Sequence, residues 1–193
     1  MSLFQEIKET VEGRELSVRW YQNQIRSLGG TRLTGREYIQ QGRTEGNSTG
    51  RPTFGMLNLF YYRPKTDEKL PYYDIFPIVL PFKKHKNGFT GLNFHYLPVP
   101  LRAQLLDRMK VYATEEKLRV YWDLISSIRM VKPTVRRYNT AQVQSRFLQM
   151  PLEDMLLGIL LPVQQFYMGK WGFKRKVPAR SVWYQSRRII SGA

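Results

Sequence analysis

An α+β fold is predicted: a small, mostly antiparallel sheet with flanking helices and a long Gly/Arg-rich arm. Three observations predict it. Residues 55–97 hold three apolar, aromatic-rich runs, 56–62, 75–82 and 89–97, which stop at Arg63-Pro64, Lys83 and Pro98. Aromatic and β-branched residues in runs of that length read as strands. The link Lys83-Lys84-His85-Lys86-Asn87-Gly88 ends in Asn-Gly, which reaches positive φ cheaply and suits a hairpin. Downstream of Pro98, apolar residues recur at helical spacing, as Leu101, Leu105, Met109 and Tyr112 do.

Taken in order, residues 1–28 form an N-terminal helical segment. Leu3, Ile7 and Val11 recur every four residues, and Val18, Tyr21, Ile25 and Leu28 line a second helix that Ser17 can cap and Gly29-Gly30 can end. Residues 29–55 carry seven glycines, few apolar residues, and Arg32, Arg36, Arg43 and Arg51. Such a stretch buries too little to offset its ordering entropy, so it reads as a flexible linker or as an arm that orders on DNA or a neighbouring subunit.

Residues 56–193 form the core, with the three strands first. Pro98 and Pro100 then open a helix, where a missing N–H costs little. A second helix is expected from Thr114 to about Met130, buried through Leu118, Tyr121, Ile125 and Ile128, and closed by Pro133. Asn139 or Thr140 can cap a short helix to about Met150, and Pro151-Leu152-Glu153-Asp154 reads as another helix start. Residues 156–166 are apolar enough for a buried strand, which Pro162 confines to an edge or bulge. Residues 167–180 read as a basic loop. Ser181 can cap a last helix over 182–190, with Tyr184, Arg187 and Arg188 on one face and Val182, Trp183, Ile189 and Ile190 inward.

With 193 residues and 42% hydrophobic content, the chain supports one domain with a real core. It contains no Cys, which excludes disulfides, thiolate zinc sites and a Cys nucleophile. The acid-rich start MSLFQEIKETVEGRE does not resemble a secretory leader, and the apolar runs are far shorter than the ~20 residues that span a bilayer. No membrane partner is expected. The formal net charge is +16, and the 70 residues after Asp123 hold 12 Lys or Arg against Glu153 and Asp154 alone. Ordinary solvated faces mix both signs, and this half does not. A polyanion, usually nucleic acid, is the expected partner; an acidic protein surface or a plain solvated face is the alternative.

The segments FYYRPKTDEKLPYYDIFPIVLPF, GFTGLNFHYLPVPLRAQLLDRM and LPVQQF, within a stretch running from about Met56 to Ser186, resemble a family of small proteins from large contractile-tailed bacteriophages. The resemblance implies a protein that protects the ends of packaged DNA, or a virion structural protein. It carries no established site onto particular residues.

Catalytic material is sparse. His85 and His95 are the two histidines, and no HExxH, Walker or Gly-x-Ser-x-Gly pattern is present. His95 is expected to be a hydrogen-bonded structural residue rather than a base or ligand. Asp67, Glu68 and Asp74 lie near one another in sequence, and a metal-dependent nuclease needs such clustered carboxylates. A solvated turn plus one Asp capping backbone donors is the simpler reading. No enzyme and no cofactor are expected.

The nucleic-acid candidates are Arg136, Arg137, Arg146, Lys170, Trp171, Phe173, Lys174, Arg175, Lys176, Arg187 and Arg188. Cations neutralise phosphates and release counterions, and an aromatic can stack on an unpaired base at a terminus. Alternatively, Trp171 and Phe173 pin a loop to the core. No sequence-reading motif is present, so binding without sequence preference is expected. The reading is a non-enzymatic phage protein of the virion, present in the host cytoplasm during assembly, that binds DNA and other virion proteins and can form homo-oligomers. The alternative is a structural subunit of the tail, neck or baseplate.

Overall fold

A computed structural model describes residues 35–44, 46–110, 122–150, 155–161, 163–170 and 173–192. The two helices expected within 1–28 lie outside them, as do Tyr112, Leu118, Tyr121 and residues 151–154. The described elements are α1 (Gly35–Thr44), β1 (Ser48–Thr49), β2 (Leu57–Leu59), β3 (Tyr73–Asp74), β4 (Ile78–His85), β5 (Gly88–Asn93), α2 (Val99–Lys110), α3 (Trp122–Ile125), β6 (Val135–Asn139), β7 (Phe147–Met150), α4 (Met155–Leu160), β8 (Phe166–Lys170), β9 (Phe173–Val177) and α5 (Ala179–Ser191). Among them the strands form an antiparallel six-stranded sheet, ordered β1-β7-β2-β4-β5-β6, and a three-stranded sheet, ordered β3-β8-β9. The fold is α+β, as the sequence predicts.

Strand alternation gives the large sheet two apolar faces. Leu57, Leu59, Ile78, Leu80, Leu92 and Leu148 are buried in one cluster with Leu105, Leu106 and Met109 of α2 and Met155 and Ile159 of α4. The other face holds an aromatic cluster centred on Phe60, whose ring lies 4.9 Å from Phe147, 5.3 Å from Tyr138, 5.9 Å from Phe89 and 6.2 Å from Tyr62. Tilted and edge-on rings at these separations suit the aromatic quadrupole.

The β4–β5 hairpin forms where it was expected, with His85 paired to Gly88 across Lys86-Asn87. The role of Gly88 differs from the expectation. It is not among the glycines at positive φ, and a Cβ there would sit 1.9 Å from the Tyr138 carbonyl oxygen. Gly88 is required by the close approach of β6, not by the turn.

Several local expectations are corrected. Residues 139–150 form no α-helix: β6 pairs along β5, Asn139 caps a single 3-10 turn by accepting from the Ala141 N–H at 3.0 Å, and β7 pairs with β1 and β2. Backbone groups satisfied across the sheet outweigh the local cap signal. The apolar run 156–166 is helical over Met155–Leu160 and extended only from Phe166. Short apolar runs suit a buried helix as well as a buried strand. Residues 167–180, expected as a loop, contain the β8–β9 hairpin, paired from Phe166↔Val177 to Lys170↔Phe173. The helix expected to reach Met130 ends at Ile125, and a 3-10 segment, Arg129–Thr134, carries Pro133 into β6. Within the stretch read as an arm, α1 and β1 are ordered: Gly35 lies under the Phe76 ring, and β1 pairs with β7.

Helix α5 forms with Pro178 at its N-cap and Gly192, at φ 80°, as its left-handed C-cap. Ser181 stands inside the first turn rather than at the cap. Val182 and Trp183 are buried, whereas Ile189 is exposed instead of inward.

Candidate nucleic-acid interface

A buried polar cluster fixes the basic C-terminal elements on the sheets. Asp74 Oδ2 accepts from His95 Nδ1 at 2.6 Å, and Oδ1 accepts from the backbone N–H groups of Phe76 and Gln165, each at 3.2 Å. Asn93 bridges to Tyr138, its Nδ2 donating to the hydroxyl at 3.0 Å. The indole N–H of Trp183 donates to the His95 carbonyl at 2.9 Å, which docks α5 on this cluster. Arg102 is fully buried and donates to the carbonyls of Leu97 at 2.8 Å and Ile159 at 2.9 Å, tying α2 to α4. Burial pushes its guanidinium down to about 9, so it stays charged at neutral pH, with Asp74 the opposing charge. Arg102, Leu105, Leu106 and Met109 stand at i, i+3, i+4 and i+7, so helical spacing places this cation on the buried face of α2.

Asp74 and His95 are therefore structural. Their side chains are 1% and 0% exposed, which seals the pair from any substrate. Among the described residues no group of three or more His, Asp or Glu converges as a metal site. Burial lowers the His95 pKa below its usual 6.5, despite Asp74 beside it. A folded-state pKa below the unfolded one gives stability that is fully present above the unfolded pKa and lost as pH falls toward the folded one. The unfolding free energy from urea titration is thus expected to decline from about pH 6.5 downward, by at most ~1.4 kcal/mol per pH unit. A folded His95→Gln variant should lack this decline between pH 6.5 and 5; an unchanged slope would rule His95 out as its source.

The proposed cations fall into separate groups. Lys174, Arg175 and Lys176 are exposed on β9, the outer strand of the small sheet. After Pro178, α5 carries Arg180, Tyr184, Arg187 and Arg188, all exposed, on the side opposite Val182, Trp183 and Ser186. Neither β9 nor α5 contains an acid; the nearby acid is Asp67, whose Oδ2 lies 3.8 Å from Lys174 Nζ. Such a surface pair contributes little. Trp171 and the side chains of Lys170 and Phe173 lie outside the described residues.

The other three arginines do not join this surface. Arg136 is half-buried, with its guanidinium 3.8 Å from the Tyr96 ring centre and Nη1 donating to the Val135 carbonyl at 2.7 Å. Arg137 is exposed on β6, one edge of the large sheet. Arg146 precedes β7, near the opposite edge, and holds β1 by donating to Ser48 Oγ at 3.1 Å and to the Ser48 carbonyl at 2.9 Å. Between β6 and β7 lie β2, β4 and β5, a separation of roughly 19 Å at the usual strand spacing.

A further cationic group escapes the sequence reading. Arg51, Lys84 and Lys86 meet around a cavity of about 650 Å³ between the 50–54 segment and the β4–β5 hairpin tip. The lysine-rich link is visible in the sequence as a turn, but its approach to Arg51 depends on sheet order.

No helix among the described residues is long and apolar enough to cross a membrane. Neither a curated protein nor a solved structure matches the chain. A family model described as phage T4 terminal DNA protecting protein matches residues 31–186. That match takes in both sheets and α5 as far as Ser186, most of the chain, and the chain therefore belongs to this family.

Proposed function

We propose that this protein binds phage DNA ends without sequence preference and shields them as a non-enzymatic component of the virion, loaded in the host cytoplasm during assembly. The observation that carries the reading is the set of exposed cations Lys174, Arg175, Lys176, Arg187 and Arg188 on β9 and α5, two elements that contain no acid, in a chain of this family. Phosphate contacts from such cations give affinity and orientation but no base discrimination. Lysines on an outer strand also deter edge-to-edge pairing, so β9 serves solubility as well. Arg137 and Arg146 are additional phosphate contacts if DNA runs along the large sheet. Trp171 and Phe173 are the aromatics proposed to stack beside Lys170, while Arg136 acts through its packing on Tyr96.

The test is exonuclease digestion of linear duplex DNA carrying saturating protein. Ends are expected to resist digestion, and Mg²⁺ alone is expected to elicit no cleavage. Digestion at the rate of bare DNA would overturn the end-shielding reading and favour a structural subunit whose basic surface meets other virion proteins. Metal-dependent cleavage by the protein itself would overturn the non-enzymatic assignment.

A further inference from the structure

Charge alone cannot favour a DNA end, because phosphates occur all along the duplex. An end offers something else: a nucleotide whose outer face is unstacked and which frays at little cost. A concave site is the shape that accepts such a unit and excludes the continuous duplex. The cavity beneath Gly50–Phe54 has this shape, and at about 650 Å³ it lies within the range of small-ligand pockets.

Its lining has two chemistries. Exposed Arg51, Lys84 and Lys86 stand at the cavity, and no carboxylate lines it. Half-buried Phe54 supplies apolar, aromatic surface, and Phe89, 1% exposed, closes the floor behind it. Cations beside aromatic rings are the combination that holds a phosphate and a base together.

The walls are held in place before any ligand arrives. On one side, the Asn58 side chain accepts from the Thr53 N–H at 3.0 Å and donates to the Thr53 carbonyl at 2.9 Å and the Met56 carbonyl at 2.8 Å. The Thr49 hydroxyl donates to the Arg51 carbonyl at 2.6 Å. On the other side, the hairpin tip is tied to Thr140, whose N–H and hydroxyl both reach the Asn87 carbonyl, at 3.1 and 3.3 Å. The His85 ring is bonded to Thr90 Oγ1 at 2.7 Å.

We infer that this cavity receives the terminal nucleotide of a DNA end, its phosphate at Arg51, Lys84 and Lys86 and its base against Phe54. The inference rests on the DNA-end reading above and assigns end preference to a site apart from the β9–α5 surface. Inside a duplex each base is paired and stacked on both faces, and extracting it costs far more than inserting a frayed terminal one.

The experiment compares the affinity of the full chain for linear duplex with that for covalently closed circular duplex of the same sequence, at one salt concentration. Two variants separate shape from charge. Gly50 lines the cavity, has open space around its Cβ position and is not at positive φ, so Gly50→Phe adds a bulky ring to the lining without backbone strain. Lys84→Gln with Lys86→Gln removes charge from two exposed positions and leaves the fold intact. Each is expected to lower the linear-over-circular affinity ratio at least tenfold, the loss falling on linear DNA. Deoxyadenosine 5′-monophosphate should bind the wild type and compete with linear DNA, and should bind either variant at least tenfold more weakly.

A wild type that prefers ends, with both variants keeping its ratio, would overturn the assignment of the cavity and leave end binding to other residues. A wild type with equal affinity for linear and circular DNA would overturn the end-binding reading itself. Loss of mononucleotide binding with end preference retained would reassign the cavity to free nucleotides and overturn its role at DNA ends.

Discussion

Raising salt from 50 to 200 mM is expected to weaken duplex binding by about 10³–10⁴-fold. The exposed cations of β9 and α5 and the formal charge of +16 both point to affinity dominated by phosphate neutralisation. If ~5–8 phosphates are engaged, log K falls against log salt with a slope of about −0.9 for each. Replacing Lys174, Arg175 and Lys176 with Gln should remove up to three of these contacts and flatten the slope by about 2.7. All three side chains are exposed on β9, so their loss should leave folding within ~0.5 kcal/mol of wild type. Linear and circular DNA should be affected alike, which distinguishes this surface from the cavity at the β4–β5 hairpin. A triple variant with the wild-type salt slope would move the phosphate contacts away from β9. Absence of duplex binding at low salt would remove the DNA-binding reading altogether.

Asp74→Ala is expected to destabilise the protein by about 3–5 kcal/mol, because it removes a buried acceptor and leaves several donors unsatisfied at about 1–3 kcal/mol each. The substitution unpairs the N–H groups of Phe76 and Gln165 and frees His95 Nδ1. It also removes the carboxylate that favours the charged form of buried Arg102. Asp74→Asn should cost less, because its amide oxygen still accepts from the two backbone groups. Urea denaturation of both variants decides the point: a loss below 1 kcal/mol for Asp74→Ala would show that the cluster is not what joins the sheets and α5. Any folded Asp74→Ala protein should retain the salt-dependent DNA binding of the wild type, since the carboxylate is sealed in the core.

The β4–β5 hairpin was legible because its signals are local: a Lys-rich polar link between two aromatic runs. Helix α2 was legible for the same reason, with Leu105 and Met109 at helical spacing and both fully buried. The structural roles of Asp74 and His95 followed from chemistry, since an aromatic-rich surrounding leaves a lone Asp or His to be satisfied by hydrogen bonds. Residues 135–177 were less legible. The Asn139 cap signal is real, yet it serves one 3-10 turn because β6 and β7 find partners far away in sequence. The alternation in β8 and β9 is masked by cations on both sides of an outer strand, so the segment looks like a loop until its pairing is seen.

The sequence by itself determined the class of fold, the absence of cysteine chemistry and the basic bias of the chain's C-terminal half. These depend on composition and on patterns within about ten residues. The tertiary structure alone decided where the cations stand. It left Arg187 and Arg188 exposed on α5, drew Arg136 onto Tyr96, and set Arg137 and Arg146 toward opposite edges of the large sheet. It also brought Arg51 to the β4–β5 hairpin. The reason is physical: strand order and register are set by long-range backbone pairing and by which face of each strand finds a core, and neither is written in the spacing of charged residues along the chain.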